Sequence, residues 1–150
     1  DYLRLMNGSN NYQERNSVTN IAEELFEKYC NQKGYFIRRL GFDEKKDPIP
    51  NFYNINPMVR NLPDYYVCTN KLSFLVMVKG TANIKQKEYD LLPKFLEWYD
   101  SKGCRLIYAF CFKTSNNPQL IYPNKLIDLY NESQDKVWHD GVVYRTLDLS

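Results

Sequence analysis

The chain has 150 residues, 43% of them hydrophobic and 15% aromatic, and a formal net charge of +2. That length suits one domain with a real core, and the composition excludes a disordered chain; no apolar run approaches the roughly 18 residues of a membrane span, and no secretory leader is visible. A charge this small does not by itself argue for nucleic acid, because a formal sum does not say where the charges sit.

Residues 1 to 16 are polar, with a turn-prone Asn7-Gly8-Ser9-Asn10-Asn11, and read as a flexible arm ahead of a single domain over residues 17–150. A helix is expected from a cap at Ser17 or Thr19 to about Gln32, ending at Gly34. Ala22, Leu25, Phe26 and Tyr29 form its apolar stripe. On a helix turning roughly 100° per residue, Glu23 falls about 110° from the centre of that stripe and Glu24 about 150° away, so Glu23 borders the buried face and Glu24 points to solvent. Tyr35 to Leu40 reads as a strand. Gly41 to Leu62 then forms a long loop with Pro48, Pro50 and Pro57, and loops of that length are commonly functional or disordered. Arg38, Arg39, Lys45, Lys46 and Arg60 on and around it are available to phosphates, if it flanks a groove and is not a solvated insertion.

The stretch from Leu62 to Gly80 reads as a hairpin. Pro63 cannot donate to a sheet and so fits a strand entrance. Tyr65 to Cys68 are strand formers, Thr69-Asn70-Lys71 is turn-like, and Leu72 to Val78 is the near-continuous apolar run of a strand covered on both faces. Asp64 and Lys79 are thereby set at neighbouring strand ends. A carboxylate and an ammonium so placed suit metal-assisted phosphodiester cleavage, in which the acid holds a divalent cation and the lysine steadies water or developing charge.

Beyond Gly80 a helix is expected from about Ile84 to Ser101, kinked or split at Pro93. Lys85, Gln86, Lys87 and Glu88 would fill its first turn, where basic groups oppose the helix dipole and suggest an anionic partner. Cys104 to Lys113 is the next strand, with the apolar run of a central position. Pro123 to Asn131 reads as a short helix. Lys136 to His139 and Val142 to Arg145 flank Asp140-Gly141, a strong hairpin signal. His139, the only histidine, reads as structural or exposed. The four cysteines, Cys30, Cys68, Cys104 and Cys111, lack the spacing of a zinc site, and the apolar settings of Cys30, Cys68 and Cys111 read as those of small buried residues in a reducing, intracellular (cytoplasmic) setting.

Pro63-Asp64 followed on the next strand by Val78-Lys79-Gly80 resembles the PD-(D/E)XK nuclease superfamily, and the order of elements around it resembles that family's restriction-endonuclease-like fold. The resemblance spans about residues 18 to 113. It implies an α/β domain with a mixed central sheet flanked by helices, here with a C-terminal β-hairpin. It implies a Mg²⁺-dependent endonuclease acting on DNA, with Mn²⁺ as an alternative cation, RNA left open, and a homodimer expected for cutting both strands of a duplex. The implied catalytic residues are Asp64, Lys79 and Glu23, the last matching an acid that precedes a Gly-aromatic helix exit, here Gly34-Tyr35. Asp64, Glu23 and the Val78 carbonyl would hold the metal, and Arg38, Arg39, Lys85, Gln86 and Lys87 would meet nucleic acid. The family's second acid falls on Met77, whose thioether is a poor ligand for a hard cation. Glu23, Glu88 and the Val78 carbonyl are the candidates to replace it. Met77 also supports an alternative, a nuclease-like fold that has lost catalysis and serves nucleic-acid binding or assembly. An unrelated α/β enzyme is a third reading, but no Gly-rich phosphate loop, nucleophile elbow or metal-binding His pair accompanies it.

Overall fold

The hairpin expected between Leu62 and Gly80 lies near the centre of a five-stranded sheet in a computed structural model that describes residues 12–41, 56–100 and 104–150. The elements run α1 (Tyr12–Lys33), β1 (Phe36–Arg39), α2 (Pro57–Arg60), β2 (Tyr65–Cys68), β3 (Ser73–Lys79), β4 (Asn83–Lys85), α3 (Gln86–Asp100), β5 (Arg105–Phe110), β6 (Gln119–Ile121), α4 (Pro123–Asn131), β7 (Lys136–Val137) and β8 (Val143–Thr146). The main sheet has the order β1-β2-β3-β5-β6. Its β3–β5 pair is parallel and the other neighbours are antiparallel. A parallel pair needs a crossover, and α3 supplies it. This is the expected mixed central sheet flanked by helices.

The apolar run in β3 is explained by its alternation. Leu75 and Met77 enter a core shared with Leu92 and Phe95 of α3, whereas Val76 and Val78 enter a second core with Ala22, Phe26 and Cys30 of α1. A strand clad by helices on both sides has no polar face to spare. Gly80 marks where α1 comes closest to the end of β3: a Cβ there would stand 2.7 Å from both the carbonyl oxygen and a methyl of Val18. Only a glycine permits that approach.

Several elements depart from expectation. Helix α1 begins at Tyr12, not Ser17, because the residues before Ser17 contain no breaker and Gln, Glu and Arg are good helix formers. The remainder of the expected arm and most of the long loop, with Lys45 and Lys46, lie outside the described residues; the loop's last part forms the short α2. The turn of the hairpin is tied by Thr69, whose hydroxyl accepts from the backbone N–H groups of Lys71 and Leu72. Helix α3 runs unbroken through Pro93, which is exposed, so water can satisfy the carbonyl its missing N–H leaves.

Lys85 is not in that helix. Asn83–Lys85 is strand β4, paired with β8, and β8 pairs in turn with β7, so the expected C-terminal hairpin becomes part of a separate three-stranded sheet. Gly141 turns that hairpin with φ at 82°, a backbone that favours glycine. Buried Asn83 accepts from the Thr146 hydroxyl at 2.7 Å, which secures the added strand. Strand β6, between Pro118 and Pro123, has no counterpart in the sequence pattern and forms the sheet edge beside β5. Among the described residues no helix is long and apolar enough to cross a membrane.

Candidate active site

Asp64 stands immediately before β2, and continuing the β2–β3 register from Tyr65↔Val76 sets it opposite Met77. Cross-strand partners share a face of a sheet, so Asp64, Met77 and, two residues on, Lys79 belong to the face that α3 covers. The Asp64 backbone N–H donates to the Val76 carbonyl at 2.9 Å, and its Oδ2 accepts from the Val78 N–H at 2.7 Å. Those two bonds lock the aspartate to the end of β3. The Val78 carbonyl points, as its N–H does, to the β2 side of the strand, because both groups of a residue in extended backbone face the same neighbour.

Lys79 reaches across the start of α3 to Glu88, with Nζ 2.9 Å from Oε2. Both side chains are about one-fifth exposed, so water still screens the pair and its net contribution to stability is about 1 kcal/mol or less. Glu88 lies in the first turn of α3, where the helix dipole favours a carboxylate. Glu23 approaches from the other side of the sheet on α1. As expected from the helical wheel, it lines the buried border, with its side chain 13% exposed, while Glu24 is exposed.

Burial pushes the Asp64 carboxyl up to about 7, and the charges of Glu23 and Glu88 push in the same direction; the Val78 N–H and the Lys79 ammonium act against them. Glu23, Lys79 and Glu88 therefore all stand within electrostatic reach of Asp64. Tyr108, the β5 neighbour of Met77 in register, faces the same place. Burial raises its hydroxyl well above the ordinary value, with Glu88 and Asp64 adding to the effect.

Met77 itself is 8% exposed and belongs to the apolar core beneath α3. The position where the resemblance calls for a second acid is therefore buried among apolar side chains.

Arg39 makes a contact that the sequence does not suggest. The sequence pattern offers it to nucleic acid, but its Nη2 is 2.5 Å from Glu23 Oε2 and 3.2 Å from the Tyr65 hydroxyl. Its guanidinium carbon lies 5.4 Å from the centre of the Tyr65 ring. Tyr65 is buried and donates its own hydroxyl to Glu27 at 2.6 Å. The one signal available in the sequence is strand alternation, which sends Arg39 and Tyr65 to the face that α1 covers. Arg38, on the opposite face, is exposed with Phe36 at the edge of the sheet. Gln86 and Lys87 are exposed at the start of α3. Lys85 lies over Trp138 at 5.8 Å in the second sheet, away from the α3 turn in which the sequence pattern puts it.

Carboxylate oxygens suit a hard divalent cation, and Asp64 with Glu23 and Glu88 offers that donor chemistry. Burial first, and then the charges of Glu23 and Glu88, disfavour the ionised Asp64, and such an ion would favour it. As folded, no three His, Cys, Asp or Glu side chains among the described residues stand close enough to share one ion. Glu23 is drawn to Arg39 and Glu88 to Lys79, so each outer acid is held by a basic side chain of the protein.

No protein-family model matches the chain. No curated protein matches it either. Among solved structures it is similar to that of Archaeoglobus fulgidus Hjc, a Holliday junction resolvase from an archaeal hyperthermophile. The similarity has a TM-score of 0.49 at 8% sequence identity, and covers 83% of this chain and 85% of that one.

Proposed function

We propose that the protein is a metal-dependent nuclease that hydrolyses phosphodiester bonds in DNA. The observation that carries this reading is the Asp64 carboxylate pinned by the Val78 N–H at 2.7 Å beside a lysine–glutamate pair, Lys79 with Glu88 at 2.9 Å. Asp64 is the fixed ligand, Glu23 the second, and the Val78 carbonyl lies on the same edge. Glu88 supplies from the helix the acid that Met77 does not supply from the strand. A bound Mg²⁺ or Mn²⁺ would polarise the phosphate and lower the pKa of attacking water. Lys79, 2.9 Å from Glu88, would orient the water or steady charge on the phosphate. Arg38, Gln86 and Lys87 are exposed on the flanks and would track the backbone, so affinity should fall steeply with salt. A homodimer would bring two such sites to the two strands of a duplex.

A second reading is favoured by one observation, the burial of Met77 in an apolar core. With that position closed to water, the fold could serve as a binding or assembly module without cleavage. Incubating duplex and branched DNA with the protein and Mg²⁺ or Mn²⁺ separates the two. The nuclease reading expects products that disappear in Asp64→Asn and Lys79→Ala. Salt-dependent binding without products at any metal concentration supports the module.

A further inference from the structure

We propose that Arg39 is a substrate-operated latch on Glu23, so that binding of a nucleic-acid phosphate at Arg39 and binding of a divalent cation beside Asp64 assist one another. The inference rests on the nuclease reading above and concerns how its metal site is completed. Two neighbouring exposures set the roles. The Arg39 side chain is 44% exposed, so an anion from solution can reach it, whereas the Glu23 side chain is 13% exposed and faces the protein. A guanidinium donates to a phosphate as readily as to a carboxylate.

Breaking the 2.5 Å pair in only one direction is unfavourable. A cation that takes Glu23 leaves Arg39 with only the more distant Glu27 carboxylate, and a phosphate that takes Arg39 leaves a largely buried Glu23 uncompensated, which is costly. When both ligands arrive, each half of the pair finds a new partner of the right charge. The rest of the network can stay in place during the exchange. Tyr65 remains bonded to Glu27 at 2.6 Å, and its ring still underlies the guanidinium. Glu27, 4.0 Å from Arg39, keeps the arginine near the site. Coupling of this kind is reciprocal and of the order of tenfold in typical cases.

The test is a titration of Ca²⁺, used as a cation that can occupy an oxygen site without being required to turn over DNA. Calorimetry would follow it with and without a short DNA duplex, on wild type, Arg39→Gln, Arg39→Lys and Asp64→Asn. Circular dichroism would confirm the fold of each variant. The latch predicts that DNA raises wild-type Ca²⁺ affinity about tenfold. It predicts that Arg39→Gln binds Ca²⁺ more tightly than wild type in the absence of DNA and no longer responds to DNA. Arg39→Lys, which keeps the charge and loses the fork, should lie between. Ca²⁺ binding that depends on Asp64 but is unchanged or weakened in Arg39→Gln overturns the latch and leaves the nuclease reading intact. Absence of Asp64-dependent Ca²⁺ binding under all conditions overturns both.

Discussion

Substituting Asp64 by Asn tests the site without any assumption about substrate. Burial first, and the acids Glu23 and Glu88 after it, raise the carboxyl to about 7 from its ordinary 3.8. A raised acid favours the folded state while it is protonated. The folded protein therefore keeps its full advantage below the ordinary value, and loses it progressively as pH rises through about 7, where the unfolded chain ionises freely and the folded one is forced to. Each unit of displacement corresponds to about 1.4 kcal/mol. Because Asp64 retains a partly exposed edge, a discounted figure of about 2 kcal/mol between pH 5 and pH 8 is the expected loss. The asparagine of the Asp64→Asn variant can accept the same bond from Val78 and has no charge to bury, so the variant should be spared that part of the decline. The assay is urea denaturation of both proteins across this range. The wild type should weaken relative to the variant by about 2 kcal/mol, equivalent to about 4 to 8 °C in melting temperature for a chain of this size. Mg²⁺ at pH 8 should recover stability in the wild type and leave the variant unmoved, because only an ionised carboxylate gains from the ion. Parallel curves for the two proteins would refute the electrostatic account of the site.

Lys79→Ala should reduce cleavage by about a hundredfold or more while changing DNA affinity only a few-fold, measured by single-turnover assay and by fluorescence anisotropy. Met77→Glu should destabilise the domain by about 3 kcal/mol at neutral pH, since it drives a carboxylate into the core beneath α3 and opposite Asp64. A thermal melt checks this, and a gain in metal affinity with stability intact would show that the position is wet after all. Gly80→Ala should cost about 1 to 3 kcal/mol in a urea titration, because its methyl would meet the Val18 backbone at 2.7 Å and push α1, with Glu23, off the sheet. Burial raises the Cys30 thiol to about 11 and the Cys111 thiol to about 12. Both should resist iodoacetamide at pH 8 until the protein is unfolded, which mass spectrometry of the alkylated chain would read directly.

The amino-acid sequence determined most of the longer local elements and their order. Strand-forming residues and a near-continuous apolar run identified the central hairpin, helical periodicity placed Glu23 at the border of α1, and Pro63 with Lys79 set an acid and an amine at adjacent strand ends. These features depend on neighbours within a few residues, where side-chain periodicity carries the information. The pairing of distant segments decided the rest. Asn83–Lys85 has the composition of a helix start, yet becomes a strand because β8, about sixty residues on, offers it a free edge; a ladder formed across such a separation leaves no local pattern to read. The same holds for the charges. The sequence shows Arg39 as one basic residue among many, and only the packing of α1 against β1 and β2 brings it to Glu23. Likewise Met77 is an apolar residue in an apolar strand in either reading of the sequence. It took the crossover helix α3, lying over that face of the sheet, to close the position to water and to bring Glu88 beside Lys79.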